Sequence, residues 1–170
     1  FEQTSAILEY LAKNGLKCVA VFLTHGHFDH IGGVKKLQEL GAKVYIHKND
    51  VWKIDSPGTM AKMLKYNIEH FDPDVVIDKE QTINVMGINI KVIETPDHTE
   101  GGVCYIVDSN IFSGDTIFKF SYGRTDFEDS DFEKLKLSIL KIFNLEGDYI
   151  IYPGHGEMTT LNLERKYNPI

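Results

Sequence analysis

Apolar and polar positions change their period several times along this chain, and each change marks an element. Ala6, Ile7, Leu8, Tyr10 and Leu11 fall at helical spacing, which predicts a helix from about Thr4 or Ser5 to Gly15. A strand is expected over 17–23, where Cys18 to Leu23 are apolar without a break. Val34, Leu37 and Leu40 return to helical spacing before Gly41, and Lys43–His47 reads as the next strand. Segment 49–72 has a weaker signal, in which Trp52, Met60, Met63 and Leu64 suggest helical turns covering part of a site. Two strands at about 81–86 and 88–94 pivot on Gly87, a strand-like run spans Val103 to Phe112, and another strand occupies 148–152. A longer helix is predicted from about Asp131 to Asn144. Helix and strand alternate with no repeat, linker or low-complexity tract, so the expectation is an α/β fold in one domain, 1–170.

The strand ends carry the chemistry. Thr24-His25-Gly26-His27-Phe28-Asp29-His30 places three imidazoles and a carboxylate just after the first strand. Such donors suit borderline divalent ions, and no peptide needs four of them together merely to fold. In an extended segment His25, His27 and Asp29 point to one side and His30 to the other, so one loop can feed two adjacent ions. Three further candidates repeat the arrangement. His98 sits in Thr95-Pro96-Asp97-His98-Thr99-Glu100-Gly101-Gly102, Asp115 in Phe112-Ser113-Gly114-Asp115-Thr116, and His155 in Ile151-Tyr152-Pro153-Gly154-His155-Gly156. Each adjoins an apolar run and is flanked by glycine or proline.

With these motifs in order, and with Gly123-Arg124-Thr125-Asp126 and Tyr167-Asn168-Pro169 beside them, the chain resembles the metallo-β-lactamase superfamily. Within it, the likeness is to small glyoxalase II-like hydroxyacylglutathione hydrolases, and it runs from Thr4 to Ile170. The resemblance implies a four-layer αβ/βα sandwich lacking the family's N-terminal strands, because the first residue, Phe1, stands almost directly at the first helix. A truncated chain is therefore expected, with a sheet edge left unpaired. It also implies two divalent ions, zinc favoured and iron or manganese as alternatives. His25, His27 and His98 would hold one, Asp29, His30 and His155 the other, and Asp115 would bridge them with a water or hydroxide. Asp29 and Asp115 are thereby the catalytic candidates. Asp97 stands where the family commonly has glycine and Glu100 where it commonly has proline, and neither change removes a ligand.

Composition narrows the partners. A net charge of −7 over 170 residues argues against nucleic acid, which is bound through clustered Lys and Arg. No apolar stretch approaches the roughly 20 residues of a membrane span, and nothing resembles a signal peptide. Cys18 and Cys104 lie inside apolar runs and read as buried packing residues, which fits a reducing cytoplasm. A homo-oligomer is compatible with all of this.

Among the remaining residues, His47 reads as a hydrogen-bonded structural histidine and His70 as a surface residue. Arg124 is either a contact to an anionic substrate or a local salt bridge to an acid such as Asp126. Tyr122 is a second substrate-contact candidate, with Arg165, Lys166 and Tyr167 weaker ones.

The expected chemistry is hydrolysis by water activated between two ions. A thiol of pKa about 8.5 leaves without a strong general acid, whereas an amine must be protonated, which favours a small-molecule thioester substrate. S-(2-hydroxyacyl)glutathione follows from the resemblance alone. The helical C-terminal domain of larger glyoxalase II enzymes is not in this sequence, so the thiol carrier is open. Two other readings stand beside it: a mononuclear iron persulfide dioxygenase using His25, His98 and Asp115, and a non-catalytic fragment. Lactam hydrolysis is disfavoured, since neither cysteine occupies a ligand motif.

Overall fold

Alternation of side chains along the strands builds two larger sheets that share one core and turn their other faces to helices, beside a small two-stranded sheet of residues 117–118 and 121–122. The computed structural model describes residues 2–56, 58–66, 68–127 and 130–170; Phe1 lies outside them. In chain order the elements begin α1 (Glu2–Lys13), β1 (Ala20–Phe22), α2 (Phe28–Ile31), α3 (Val34–Glu39) and β2 (Lys43–His47). A 3-10 helix (Lys48–Ile54) and α4 (Gly58–Met63) follow, then β3 (Val75–Ile77), β4 (Gln81–Val85), β5 (Ile88–Glu94), β6 (Val103–Val107) and β7 (Asn110–Gly114). The last part comprises β8 (Ile117–Phe118), β9 (Ser121–Tyr122), α5 (Phe132–Phe143), β10 (Ile150–Pro153), β11 (Thr159–Thr160) and α6 (Leu161–Tyr167).

The first sheet is parallel in the order β1-β2-β3, and the second runs β11-β10-β7-β6-β5-β4. Its pairs are antiparallel except β10 on β7. Along β2, Tyr45 joins Ile77, Ile90, Val92, Val103 and Tyr105 in a core between the sheets, while Val44 and Ile46 pack with Ile31, Val34, Ile54 and Phe71 on the opposite side. The same period of two divides β6: Val103 and Tyr105 face the first sheet, and Cys104 and Ile106 face Leu135, Ile139 and Ile142 of α5 and Leu161 of α6. The layers are therefore helix, sheet, sheet, helix, the expected αβ/βα sandwich. Phe22 joins the sheets directly, stacking on Tyr45 at 4.2 Å between ring centroids and meeting the edge of Tyr105 at 5.3 Å.

Local chemistry sets the boundaries. Asp131 caps α5 by accepting from the Lys134 N–H, and Thr160 caps α6 by accepting from that of Leu163. The β4–β5 hairpin turns through Met86 (φ 52°) and Gly87 (φ 87°), the pair of positive values that a tight two-residue hairpin demands. Several expectations are corrected. The first strand is three residues long, not seven, and α1 starts at Glu2. The Val103–Phe112 run is two strands, reversed around Asp108 at φ 51°. Segment 49–72 forms the 3-10 helix and α4, with residues 57 and 67 and the side chain of Met60 outside the described part.

Strand direction gathers the ligand loops. β7 and β10 are parallel, and β5 and β6 are antiparallel, so the turns after β5, β7 and β10 open at one end of the second sheet. The loop after β1 is tied there by the Val103 N–H donating to Thr24 O at 2.9 Å and by the Tyr105 hydroxyl donating to Leu23 O at 2.8 Å.

Candidate metal centre

The backbone after β1 is extended at His27, but the chain then turns helical at Phe28, which corrects the fully extended loop expected from the sequence. The helical turn brings Asp29 and His30 to His155, while the His30 ring stays beside that of His25 at 4.1 Å between centroids. Nitrogen and oxygen donors accordingly gather in three overlapping groups: His25, His27 and His98; His25, His30 and Asp115; and Asp29, His30 and His155, each with its donor atoms within 4.8 Å of one another. All seven candidate ligands fall in this cluster.

Asp115 sits between its two halves. Oδ2 lies 3.5 Å from His98 Nε2 and 3.6 Å from His155 Nε2, while Oδ1 lies 3.4 Å from His30 Nε2. Asp29 Oδ2 is 3.2 Å from His155 Nε2 and 3.7 Å from His30 Nε2. Within each half two ring nitrogens face each other, His98 Nε2 and His27 Nδ1 at 3.0 Å, and the Nε2 atoms of His30 and His155 at 3.2 Å. The Gly154 N–H donates to Gly114 O at 2.8 Å, fixing the His155 turn against the Asp115 turn.

The donor set fits divalent cations. His25 Nε2 and Asp115 Oδ1 are buried without a hydrogen-bond partner, a cost that a bound cation removes. His98 Nδ1 faces the Arg124 carbonyl oxygen at 2.8 Å and must donate to it, leaving the Nε2 lone pair for an ion. The backbone makes room as well. A Cβ on Gly154 would stand 2.3 Å from Asp115 Oδ1 and 2.7 Å from His30 Cε1, and one on Gly123 would stand 3.0 Å from His98 Nδ1. At Asp97 the backbone is left-handed, φ 94°, which explains why glycine suits that position.

Burial lowers the pKa of His25 well below its ordinary value, with His30 and the other histidines adding to the effect. Burial also brings His30 down to about 4, against an opposing pull from Asp29, and raises Asp115 to about 6. His25 and His30 are thus favoured as neutral imidazoles, the form that binds metal. Stripped of ions, the fold should lose stability as pH falls from about 6.5 toward 4, because unfolded imidazoles take up protons there while His25 and His30 resist them. Asp115 works in the opposite sense: with its pKa raised, its contribution is lost as pH rises from about 3.9 through about 6. Two histidines outweigh one carboxyl, so chelator-treated protein should melt at a lower temperature at pH 5 than at pH 7.5. Equal or higher melting at pH 5 would refute this balance.

A cavity of about 920 Å³ opens over the cluster, lined by His27, Asp29, His98, Asp115 and His155 together with Phe28, Trp52, Lys53, Lys62, Arg124 and Phe127. Arg124 is on the rim, bound to Asp126 through two bonds of 2.8 and 2.7 Å, so the salt bridge and the cavity position coexist. Tyr122 lies elsewhere, packed on Phe132 and the core of the second sheet, and the substrate contact expected of it does not follow from that position. The Arg165 guanidinium donates to the Phe143, Leu145 and Gly147 carbonyls, a structural role. His47 is buried against Glu94 at 3.1 Å, and exposed His70 pairs with Asp55 at 2.7 Å, both as expected. The cysteines are free, Cys104 buried and Cys18 half-buried. Sequence reasoning missed Phe127, whose ring meets those of His27 and His98 at 5.0 and 5.7 Å. No motif marks it. Among the described residues, no helix is long and apolar enough to cross a membrane.

Residues 1–155 match the family model of the metallo-beta-lactamase superfamily. The chain is 32% identical to the hydroxyacylglutathione hydrolase GloC of Haemophilus influenzae, over 98% of this chain and 82% of that protein. Among solved structures it resembles the BLEG-1 B3 metallo-beta-lactamase, with a TM-score of 0.89 and 32% identity over 98% of this chain and 83% of that one. It also resembles TTHA1623 in a di-iron-bound form, with a TM-score of 0.85 and 32% identity over 96% and 83%.

Proposed function

The chain belongs to the metallo-β-lactamase superfamily, and we propose that within it the protein is a dinuclear metallohydrolase cleaving a thioester, S-(2-hydroxyacyl)glutathione or a similar thiol ester. The observation that carries this reading is the position of Asp115 between two complete donor groups, His25, His27 and His98 on one side and Asp29, His30 and His155 on the other. Divalent ions held there would supply a nucleophile from water near neutral pH and polarise the scissile carbonyl. Zinc suits a mainly imidazole site, and the di-iron form of TTHA1623 keeps iron in view.

The protein's own residues fit that task. Neither cysteine lines the cavity, and burial pushes the Cys104 pKa up to about 11, so no thiol nucleophile serves the site. Asp126 is a poor general acid, since its bonds to Arg124 hold its carboxyl below the usual range. A leaving group that needs no proton, such as a thiolate, therefore suits the cavity better than an amine. Phe28, Trp52 and Phe127 offer apolar walls, and Arg124 places a cation at the rim for an anionic thiol carrier. GloC, named for hydroxyacylglutathione hydrolysis, supports the same substrate class.

The test is a parallel assay of zinc-loaded and iron-loaded protein with S-lactoylglutathione, a chromogenic cephalosporin, and glutathione persulfide under oxygen-uptake recording. Thioester cleavage well above lactam cleavage, without oxygen consumption, is expected. Oxygen uptake by a single-iron form would replace this reading with the dioxygenase, and preferred lactam cleavage would replace the substrate class.

A further inference from the structure

The 3-10 helix that lines the cavity also holds a carboxylate beneath it. Asp50 is fully buried and is absent from both the donor groups and the cavity wall. Its Oδ2 accepts from the Gly26 N–H and from the Thr99 hydroxyl, each at 2.7 Å, and its Oδ1 accepts from the Gly101 N–H at 2.9 Å. Gly26 is the residue between His25 and His27, and Thr99 and Gly101 stand one and three residues after His98. One side chain thus fastens the peptide joining two ligands to the loop that carries the third. The loops are drawn close onto it: a Cβ on Gly26 would stand 2.9 Å from Asp50 O, and one on Gly101 would stand 2.6 Å from Asp50 Cγ.

We infer that Asp50 is a positioning residue that sets the spacing of the His25, His27 and His98 donors, and so governs ion affinity in that half of the centre without touching ion or substrate. This rests on the metal-centre reading above. A carboxylate is the side chain the geometry requires, because three donors converge on two oxygens. An asparagine of the same size has one acceptor oxygen. Either orientation of its amide turns an N–H toward the backbone N–H of Gly26 or of Gly101, leaving a buried donor unmet. The Asp29, His30 and His155 group has no contact with Asp50 and should keep its ion.

The experiment titrates chelator-stripped wild-type protein, Asp50→Asn and Thr99→Val with zinc against a competing chromophoric chelator. Melting of the stripped forms is followed alongside. Asp50→Asn should weaken one of two sites by about 10–100-fold, the size of effect usual for residues that orient ligands, and leave the other unchanged. Thr99→Val, which removes one of the three bonds, should weaken the same site by less. Should Asp50→Asn fail to fold, Thr99→Val decides the matter through the same asymmetry. Two sites of wild-type affinity in a folded variant, or equal weakening of both, would overturn the inference. Zinc titration reads positioning alone, so a wild type that binds two ions yet cleaves no thioester would refute the substrate reading and leave this one standing.

Discussion

Replacing Asp115 with asparagine should cost the protein its second ion and lower thioester cleavage by at least about 100-fold. The carboxylate reaches both halves of the cluster, Oδ2 lying near His98 of one half and His155 of the other and Oδ1 near His30. An amide keeps the shape but removes the negative charge that would offset two cations, and one of its ends donates instead of accepting. Loss of residues that merely orient a metal ligand costs about 10–100-fold, so loss of a shared ligand should lie at or beyond that range. Metal content by elemental analysis and kcat/KM on the same preparation check it together. A variant with two ions and undiminished turnover would remove Asp115 from the role of shared ligand.

Chelation should lower the melting temperature by roughly 10 °C or more at neutral pH. An ion present at about 1,000 times its dissociation constant stabilises the native state by about 4 kcal/mol. For a chain of this size each kcal/mol corresponds to roughly 2–4 °C. His25 Nε2 and Asp115 Oδ1, buried without a hydrogen bond, make the stripped fold costlier still. Zinc added back after removal of the chelator should restore the original transition, whereas magnesium, an oxygen-preferring ion, should not. An unchanged melting curve after complete removal of metal would mean that the ions contribute nothing to the fold.

Much of this arrangement was legible in the amino-acid sequence because the metal donors follow strands. His98, Asp115 and His155 each adjoin an apolar run and a glycine or proline, and that local pattern survives folding intact. What sequence periodicity misjudged was the backbone between ligands: Phe28–Ile31 is too short a helical turn to leave a period, yet it directs Asp29 and His30 to the second half of the cluster. Asp108 was similarly hidden, because the apolar residues on either side of it merge into one run although the chain reverses there. Asp50 and Phe127 were invisible for a different reason. Their partners lie far off in the chain, up to 51 residues away for Asp50, and a lone acid or aromatic ring carries no signal of what it will meet.

The donors of the centre are drawn from both ends of the chain, from residue 25 at the edge of the first sheet to residue 155 after β10. During synthesis the three histidines and the aspartate of the first loop emerge more than a hundred residues ahead of the last ligand. A nascent chain can therefore hold at most a partial, weakly binding set until the second sheet has docked on the first. Completion of both ion sites is thereby placed after the two sheets have met, however early the first loop is made.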